Sequence, residues 1–307
     1  MKNKLIALLF MLGGGVSALQ AQNFTAASYN IRYANHNDSI NGNGWGQRLP
    51  YIAELVKFHG FDIWGSQEGL YHQLQQLKQQ LPGYDYIGVG RVDGVHEGEH
   101  SAIFYRTDKF ELLDTGNFWL SEEQDHPNKG WDADLERICT WGKFREKATG
   151  FVFMFYNLHM DHRGVKARSE SAKLVIRKIC EQKPLLPAIL TGDFNVDQHS
   201  ESYATLTAPK VIFDSYEIAQ MRYAPNGTVN GFKTDRMTKS RIDHVFVTKD
   251  FEVEKYGVLT DTYRAPGVQE KKALKDGNFP HEISFEQYIA RTPSDHFPVK
   301  VVLKGKK

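Results

Sequence analysis

The chain has 307 residues, 41% apolar and 12% aromatic, which is enough for one large domain or two small ones and excludes a wholly disordered polypeptide. Its 38 basic residues against 37 acidic give a formal charge of +1, which argues against holding nucleic acid mainly by bulk electrostatics while leaving room for a local basic groove. Two cysteines, Cys139 and Cys180, are too few for a disulfide scaffold. Both are expected to be buried thiols, a bond between them being the alternative.

Lys2 and Lys4 precede an apolar run from Leu5 to Leu12, and Ala18-Leu19-Gln20-Ala21 follows. This order predicts a secretory signal peptide over 1–21, cleaved after Ala21 or after Ala18, and a periplasmic or secreted protein with no integral membrane span after cleavage. Residues 22–307 carry no repeat and no Pro/Gly/Ser linker, so a single domain is expected. Phe24 to Tyr33 reads as a strand. Ile52, Leu55 and Val56 sit at helical spacing within Leu49 to His59, and Gly60 stops that helix. A strand from Phe61 ends at Glu68, and Leu70, Leu74, Leu77 and Leu81 mark one face of a second helix. Tyr84 to Gly90, Ser101 to Arg106, Phe110 to Leu120, Arg137 to Arg145 and Phe151 to His159 are strand-like. A long helix is predicted from Arg163 to Glu181. Strands follow at Ala188 to Thr191, Val229 to Lys233, Ile242 to Thr248, Tyr256 to Thr260 and Phe297 to Leu303, with a helix near Ile283 to Ala290 in a polar insertion. Many antiparallel strands with helices between them predict two packed sheets with helices outside.

Polar groups gather where these strands end. The apolar run Pro187-Ala188-Ile189-Leu190 leads into Thr191-Gly192-Asp193-Phe194-Asn195, which sets a carboxylate and an amide two residues apart on one face. Tyr29-Asn30, Gln67-Glu68, Asn157-Leu158-His159-Met160-Asp161, Asp243-His244 and Ser294-Asp295-His296 are similar. Oxygen ligands with histidines suit a hard divalent cation and acid–base chemistry on a phosphate. Asn30 and Glu68 make a plausible partial shell for Mg²⁺ or Mn²⁺. Glu68 can equally be a helix N-terminal carboxylate, Asn30 a turn residue, His159 a satisfied core histidine, and Asp161 or His162 a helix cap. In Asp243-His244 and Asp295-His296 the two side chains point to opposite faces.

Together these segments resemble the endonuclease/exonuclease/phosphatase superfamily, over Tyr-Asn-Ile-Arg at 29–32, Gly-Ser-Gln-Glu at 65–68, Asn-Leu-His-Met-Asp-His at 157–162, Gly-Asp-Phe-Asn at 192–195, Arg-Ile-Asp-His at 241–244 and Ser-Asp-His-Phe-Pro at 294–298. The resemblance implies a DNase I-like α/β four-layer sandwich, two packed mixed or antiparallel sheets flanked by helices. It implies a metal side of Asn30, Glu68 and Asp295. Asp193 would activate the attacking water, and Asn195 would hold the water or a phosphate oxygen. His296 paired with Asp243 would contact the phosphate, and His159 would stabilise the charged transition state. Arg32 stands where abasic-site endonucleases usually carry a carboxylate. Arg91, Glu99 and Arg137, with Arg32 and Asp161, are candidate cleft residues; the alternative for Arg91, Glu99 and Arg137 is ordinary loop charge. The implied activity is exported, Mg²⁺-dependent hydrolysis of a phosphoester by a monomer, with a phosphodiester first. A lipid phosphodiester or a sugar or inositol phosphate is the alternative, and nucleic acid or a nucleotide remains open. A silent binding module on the same fold is the reading from a different class.

Overall fold

The computed structural model describes residues 23–266, 280, 282–283 and 288–306; the expected signal segment lies outside them. In chain order the elements are β1 (Asn23–Asn30), α1 (His36–Ile40), α2 (Trp45–Phe58), β2 (Ile63–Gln67), β3 (Gly69–Leu70), α3 (Tyr71–Gln80), β4 (Tyr84–Ile87), β5 (Glu99–His100), β6 (Ile103–Arg106), β7 (Phe110–Trp119), β8 (Ile138–Glu146) and β9 (Val152–His159). There follow α4 (Val165–Cys180), β10 (Ala188–Asp193), α5 (Glu201–Thr207), β11 (Phe213–Asp214), α6 (Ser215–Ile218), β12 (Met221–Tyr223), β13 (Asp243–Val247), β14 (Phe251–Val258), β15 (Tyr263–Pro266), β16 (Tyr288–Arg291) and β17 (Val299–Gly305).

Two large sheets form, one in the order β12-β14-β17-β1-β2-β6-β4 and the other β11-β13-β10-β9-β8-β7. Strands β1 and β2 run parallel, as do β9 and β10; β17 and β13 run antiparallel to β1 and β10. Strand alternation gives each sheet two buried faces. The outer face of the first carries Tyr29 and Trp64, covered by Ile52 and Val56 of α2 and by Leu74 and Leu77 of α3. The outer face of the second carries Leu158, Leu190 and Phe246, covered by Ala172, Val175 and Ile179 of α4. The inner faces meet in a third cluster that includes Phe24, Phe110, Phe144, Phe153 and Phe251. Helix, sheet, sheet and helix are therefore stacked as the expected four layers.

The inner faces change character along their length. In β1 the inward residues run Phe24, Ala26, Ser28, Asn30; in β9 they run Phe153, Phe155, Asn157, His159; in β10 Ile189, Thr191, Asp193. Each strand passes from apolar to polar toward the same end of the sandwich, because β1, β2, β9 and β10 all point their C-termini there. At the join, Asn157 ties the sheets together. Its Nδ2 donates to the carbonyls of Ser66 (2.8 Å) and Ala102 (3.0 Å), and its Oδ1 accepts from Gln67 Nε2 (2.7 Å) and Thr191 Oγ1 (3.0 Å). Gly65 leaves the space this network needs: a Cβ there would lie 2.1 Å from Asn157 Oδ1 and 2.3 Å from Thr191 Oγ1.

Several sequence expectations are corrected. Val229 to Lys233 is not a strand; only Val229 bridges to His296, and Gly231 and Phe232 turn left-handed, so that Asn230 and Gly231 donate their N–H groups to the carbonyl of Asp295. Tyr288 to Ala290 is strand rather than helix, paired in β16 with Tyr263–Pro266; the residues 284–287 before it lie outside the described residues. Helix α2 begins at Trp45, four residues before its expected start, because Gln47 Oε1 accepts the Gly44 N–H and Pro50 is accommodated within the second turn. Cys139 is buried but Cys180 is exposed, and both are free thiols. Among the described residues no helix is long and apolar enough to cross a membrane.

Candidate active site

The strand register assembles the site. Asp193 of β10 is the rung partner of His159 on β9 and of Asp243 on β13, so three strands that follow in the order β9-β10-β13 put three polar side chains side by side. On the opposite sheet Asn30 pairs in register with Gln67, one residue before Glu68. The turn after β2 then swings Glu68 inward with a left-handed φ of +66°, and Asn195 after β10 does likewise at +50°. Non-glycine residues in that region cost of order 1 kcal/mol and recur where a site fixes a side chain's aim.

Asn30 Nδ2 donates to Glu68 Oε1 at 2.9 Å and to Asp193 Oδ2 at 3.0 Å, joining the two sheets at the polar end. Asp193 Oδ1 accepts the Asn195 main-chain N–H at 3.0 Å. Asn195 Nδ2 donates to the Met160 carbonyl at 2.9 Å and stands 3.1 Å from His159 Nε2. On the other side His296 Nδ1 is 2.9 Å from Asp243 Oδ2, and its Nε2 is 3.8 Å from Asp193 Oδ2. Asp295 reaches the same region through Arg32, whose Nη1 lies 3.5 Å from Asp295 Oδ2 and 3.8 Å from Glu68 Oε2, while its Nε bonds Asp38 at 2.9 Å. All eight residues expected at the centre are therefore gathered at one end of the sandwich, including Glu68, Asp193 and His296, which come from three distant stretches.

Burial shapes the charges. Burial and, secondarily, the neighbouring Asp243 push the Asp193 carboxyl up to about 7. His296 resists its own burial because Asp243 and Asp193 hold it protonated, well above the usual imidazole value. His159 goes the other way: burial, with the Arg137 and Arg91 guanidiniums nearby, keeps it neutral. Burial raises Asp295 as well, helped by Glu68. The site thus contains a neutral imidazole, an imidazolium and a carboxyl poised near neutrality within a few ångströms, the kind of divergence that marks acid and base roles.

The residues also fit a hard cation. Ligand atoms of Glu68, His159 and Asp193 lie within 4.8 Å of one another, as do those of Asp193, Asp243 and His296. Among the described residues Asp243 Oδ1 and His159 Nδ1 are buried without a hydrogen-bond partner, open valences that a bound species can satisfy.

The outer candidates divide. Glu99 holds Arg91 through two bonds, 2.6 and 3.0 Å, and its Oε2 is 3.7 Å from His159 Nδ1, so this pair does border the site. Arg137 and His159 line the same narrow crevice. Arg137, however, is committed to Asp161 Oδ2 (3.3 Å) and His162 Nδ1 (3.1 Å). Asp161 is not available to a substrate: only 1% exposed, it accepts the N–H groups of Arg163 and Gly164 in the turn before α4 and that of Leu135, while the first-turn N–H groups of Lys166 and Ala167 go to Asp132. The expectation that it binds substrate and the alternative that it caps the helix both give way to a turn that leads into α4. Sequence reading missed Thr228, whose Oγ1 accepts the Ile242 and Asp243 N–H groups, and Ser294, whose Oγ donates to the Asn30 carbonyl at 2.7 Å. Neither carries a signal beyond being a polar residue in a loop.

Comparison with known proteins agrees with this construction. A solved structure of a mannosyl-6-phosphatase from Bacteroides thetaiotaomicron is 57% identical, covers 91% of this chain and 99% of its own, and superposes with a TM-score of 0.85. An endonuclease/exonuclease/phosphatase from Bacteroides vulgatus is 38% identical over 93% of this chain and all of its own, with a TM-score of 0.78. The human Nocturnin catalytic domain shares the fold at 17% identity and a TM-score of 0.64, covering 92% of this chain and 94% of its own. The sequence profile described as the Endonuclease/Exonuclease/phosphatase family matches residues 27–296. The chain belongs to this family of phosphoester hydrolases.

Proposed function

We propose that the protein is an exported, Mg²⁺-dependent phosphomonoesterase that removes phosphate from C6 of a mannose-type sugar, with Mn²⁺ as a substitute metal. The observation that carries the substrate is the 57% identity with a mannosyl-6-phosphatase across 99% of that chain. On that support we rank the sugar phosphate ahead of the phosphodiester that the sequence alone put first. The signal-like residues 1–21 support export.

In this reading Glu68, Asp295 and Asn30 would hold the metal, which would supply positive charge at the phosphate when bound. Asp193 accepts the proton of the attacking water, a task suited to a carboxyl whose affinity for protons is raised by burial. The Asp243–His296 pair supplies a charged N–H to a phosphate oxygen, and Asp243 fixes the ring through Nδ1. Asn195, its Nδ2 engaged by the Met160 carbonyl and facing His159 Nε2, holds the His159 ring in place. His159, held neutral, adds hydrogen bonding without an opposing charge on the metal.

The test is a panel of mannose 6-phosphate, p-nitrophenyl phosphate and bis-p-nitrophenyl phosphate, assayed with Mg²⁺ and with EDTA. Hydrolysis of the two monoesters that EDTA abolishes is expected. Diester turnover ten times faster than monoester turnover would return the phosphodiester to first place, and activity that survives EDTA would remove the metal from the scheme. Cell fractionation checks export.

A further inference from the structure

The metal side is held together differently from the rest of the site. His159, Asp193 and Asp243 are neighbours on ladder rungs, whereas Asn30, the last residue of β1, opens one loop and Asp295 lies in another that enters β17, both beyond the last rung that pairs these two strands, Ser28 with Val299. What spans these loops is Arg48 of α2, a side chain 0% exposed. Its Nη1 donates to the carbonyl of Ile31 at 2.7 Å and to that of Pro293 at 3.0 Å. Its Nη2 donates to the carbonyl of Arg32 at 3.1 Å, and its Nε to that of Asn43 at 2.7 Å. The guanidinium sits 5.6 Å from the Trp45 ring and 5.5 Å from that of Phe232. Among the described residues no carboxylate pairs with it; all four of these hydrogen bonds go to main-chain carbonyls.

A buried cation satisfied only by carbonyls is costly to assemble, and burial accordingly disfavours its charge. Its geometry has one consequence that packing alone does not need: a planar fork fixes the separation of the carbonyls it grips. One of these belongs to the residue after Asn30 and another to the residue two before Asp295. Ser294 ties the same two loops once more, through the Asn30 carbonyl.

We propose that Arg48 is a positioning residue of the metal side, setting the distance between the Asn30–Arg32 turn and the Pro293–Asp295 segment so that Asn30, Glu68 and Asp295 close on one cation. The inference rests on the reading that these residues hold the metal. Mn²⁺ binding measured by calorimetry on the full-length chain tests it, using wild type, Arg48→Met and Arg48→Lys, with circular dichroism and a thermal melt to verify folding. Arg48→Met is expected to weaken Mn²⁺ at least tenfold and to raise the Mg²⁺ concentration for half-maximal turnover in step, while KM for p-nitrophenyl phosphate at saturating metal moves less than threefold. Arg48→Lys, which keeps the charge and loses the fork, is expected to recover only part of the affinity. A purely structural role predicts a lower melting temperature with metal affinity intact, and folded Arg48→Met binding Mn²⁺ within twofold of wild type overturns the proposal. Should Arg48→Met fail to fold, wild-type affinity in Arg48→Lys overturns it equally. A wild-type protein that binds no Mn²⁺ would overturn the metal reading and this inference with it.

Discussion

The two ends of the space between the sheets are built from the same strands and behave as opposites. At one end Phe24, Phe110, Phe153 and Phe251 pack at centroid distances of 5.5 to 6.3 Å, mostly edge to face, an apolar contact that needs no partner beyond its own shape. At the other, six residues further along β1 and β9, the inward positions are Asn30 and His159, and each buried polar atom must find a hydrogen bond or be left unsatisfied at a cost of about 1–3 kcal/mol. Some are left so, Asp243 Oδ1 and His159 Nδ1 among them. The comparison teaches that the apolar end stabilises the fold and that the polar end spends part of that stability on a site waiting for charge.

The largest expected effect lies at the polar end. Asp193→Ala should lower kcat/KM on a phosphomonoester by about 10³-fold or more, as loss of a central catalytic group does, while the protein still melts cooperatively; a decrease of less than tenfold would break the assignment. The mirror experiment is Phe153→Ala at the apolar end. It should cost about 3–5 kcal/mol in urea unfolding, through lost burial and the cavity left behind, with kcat per folded molecule nearly unchanged. A comparable loss of turnover in both variants would erase the distinction between the ends. Gly65→Ala probes the join. Its methyl group would collide with Asn157 and Thr191 where the sheets are tied, so a loss of about 1–3 kcal/mol is expected, and wild-type stability would mean that the sheets shift freely there.

The smallest effect sharpens the electrostatics. Because folding raises Asp193 from 3.8 to about 7, the metal-free native state holds this proton more tightly than the unfolded chain does. Its contribution to stability is complete below about pH 4 and is lost as pH rises through 7. Metal-free wild type should therefore lose stability across that window relative to Asp193→Asn, and the gain in melting temperature on adding Mg²⁺ should be greater at pH 8 than at pH 6. Parallel pH profiles for the two proteins would show that Asp193 does not carry the proton.

How much of this was readable beforehand depends on how local the cause is. Strand alternation and the change from Phe153 and Phe155 to Asn157 and His159 within one strand are properties of consecutive residues, so the sandwich and the polar ends of its strands could be anticipated from the amino-acid order alone. So could the pairing of Asp243 with His296, but only through resemblance, since nothing in either dipeptide specifies its partner. Asp161 shows the limit: a carboxylate two residues beyond His159 looks the same whether it faces a substrate, caps a helix or closes a turn, and the turn was chosen by the N–H groups of Leu135, Arg163 and Gly164 that fold around it. The turn at 229–233 was misread for the same reason, because the left-handed conformations at Gly231 and Phe232 are rewarded by the Asp295 carbonyl, more than 60 residues away in sequence.

The amino-acid order by itself determined the periodicities, and hence which side chains each strand and helix would bury. Only the tertiary structure decided which of the resulting polar groups meet. Rung register set Asp193 beside both His159 and Asp243, and an arginine on a neighbouring helix gripped two loops just beyond the last rung of the β1–β17 ladder. The physical reason is that hydrogen-bond partners and burial are fixed by contacts between distant segments, whereas periodicity is fixed by the geometry of a single backbone.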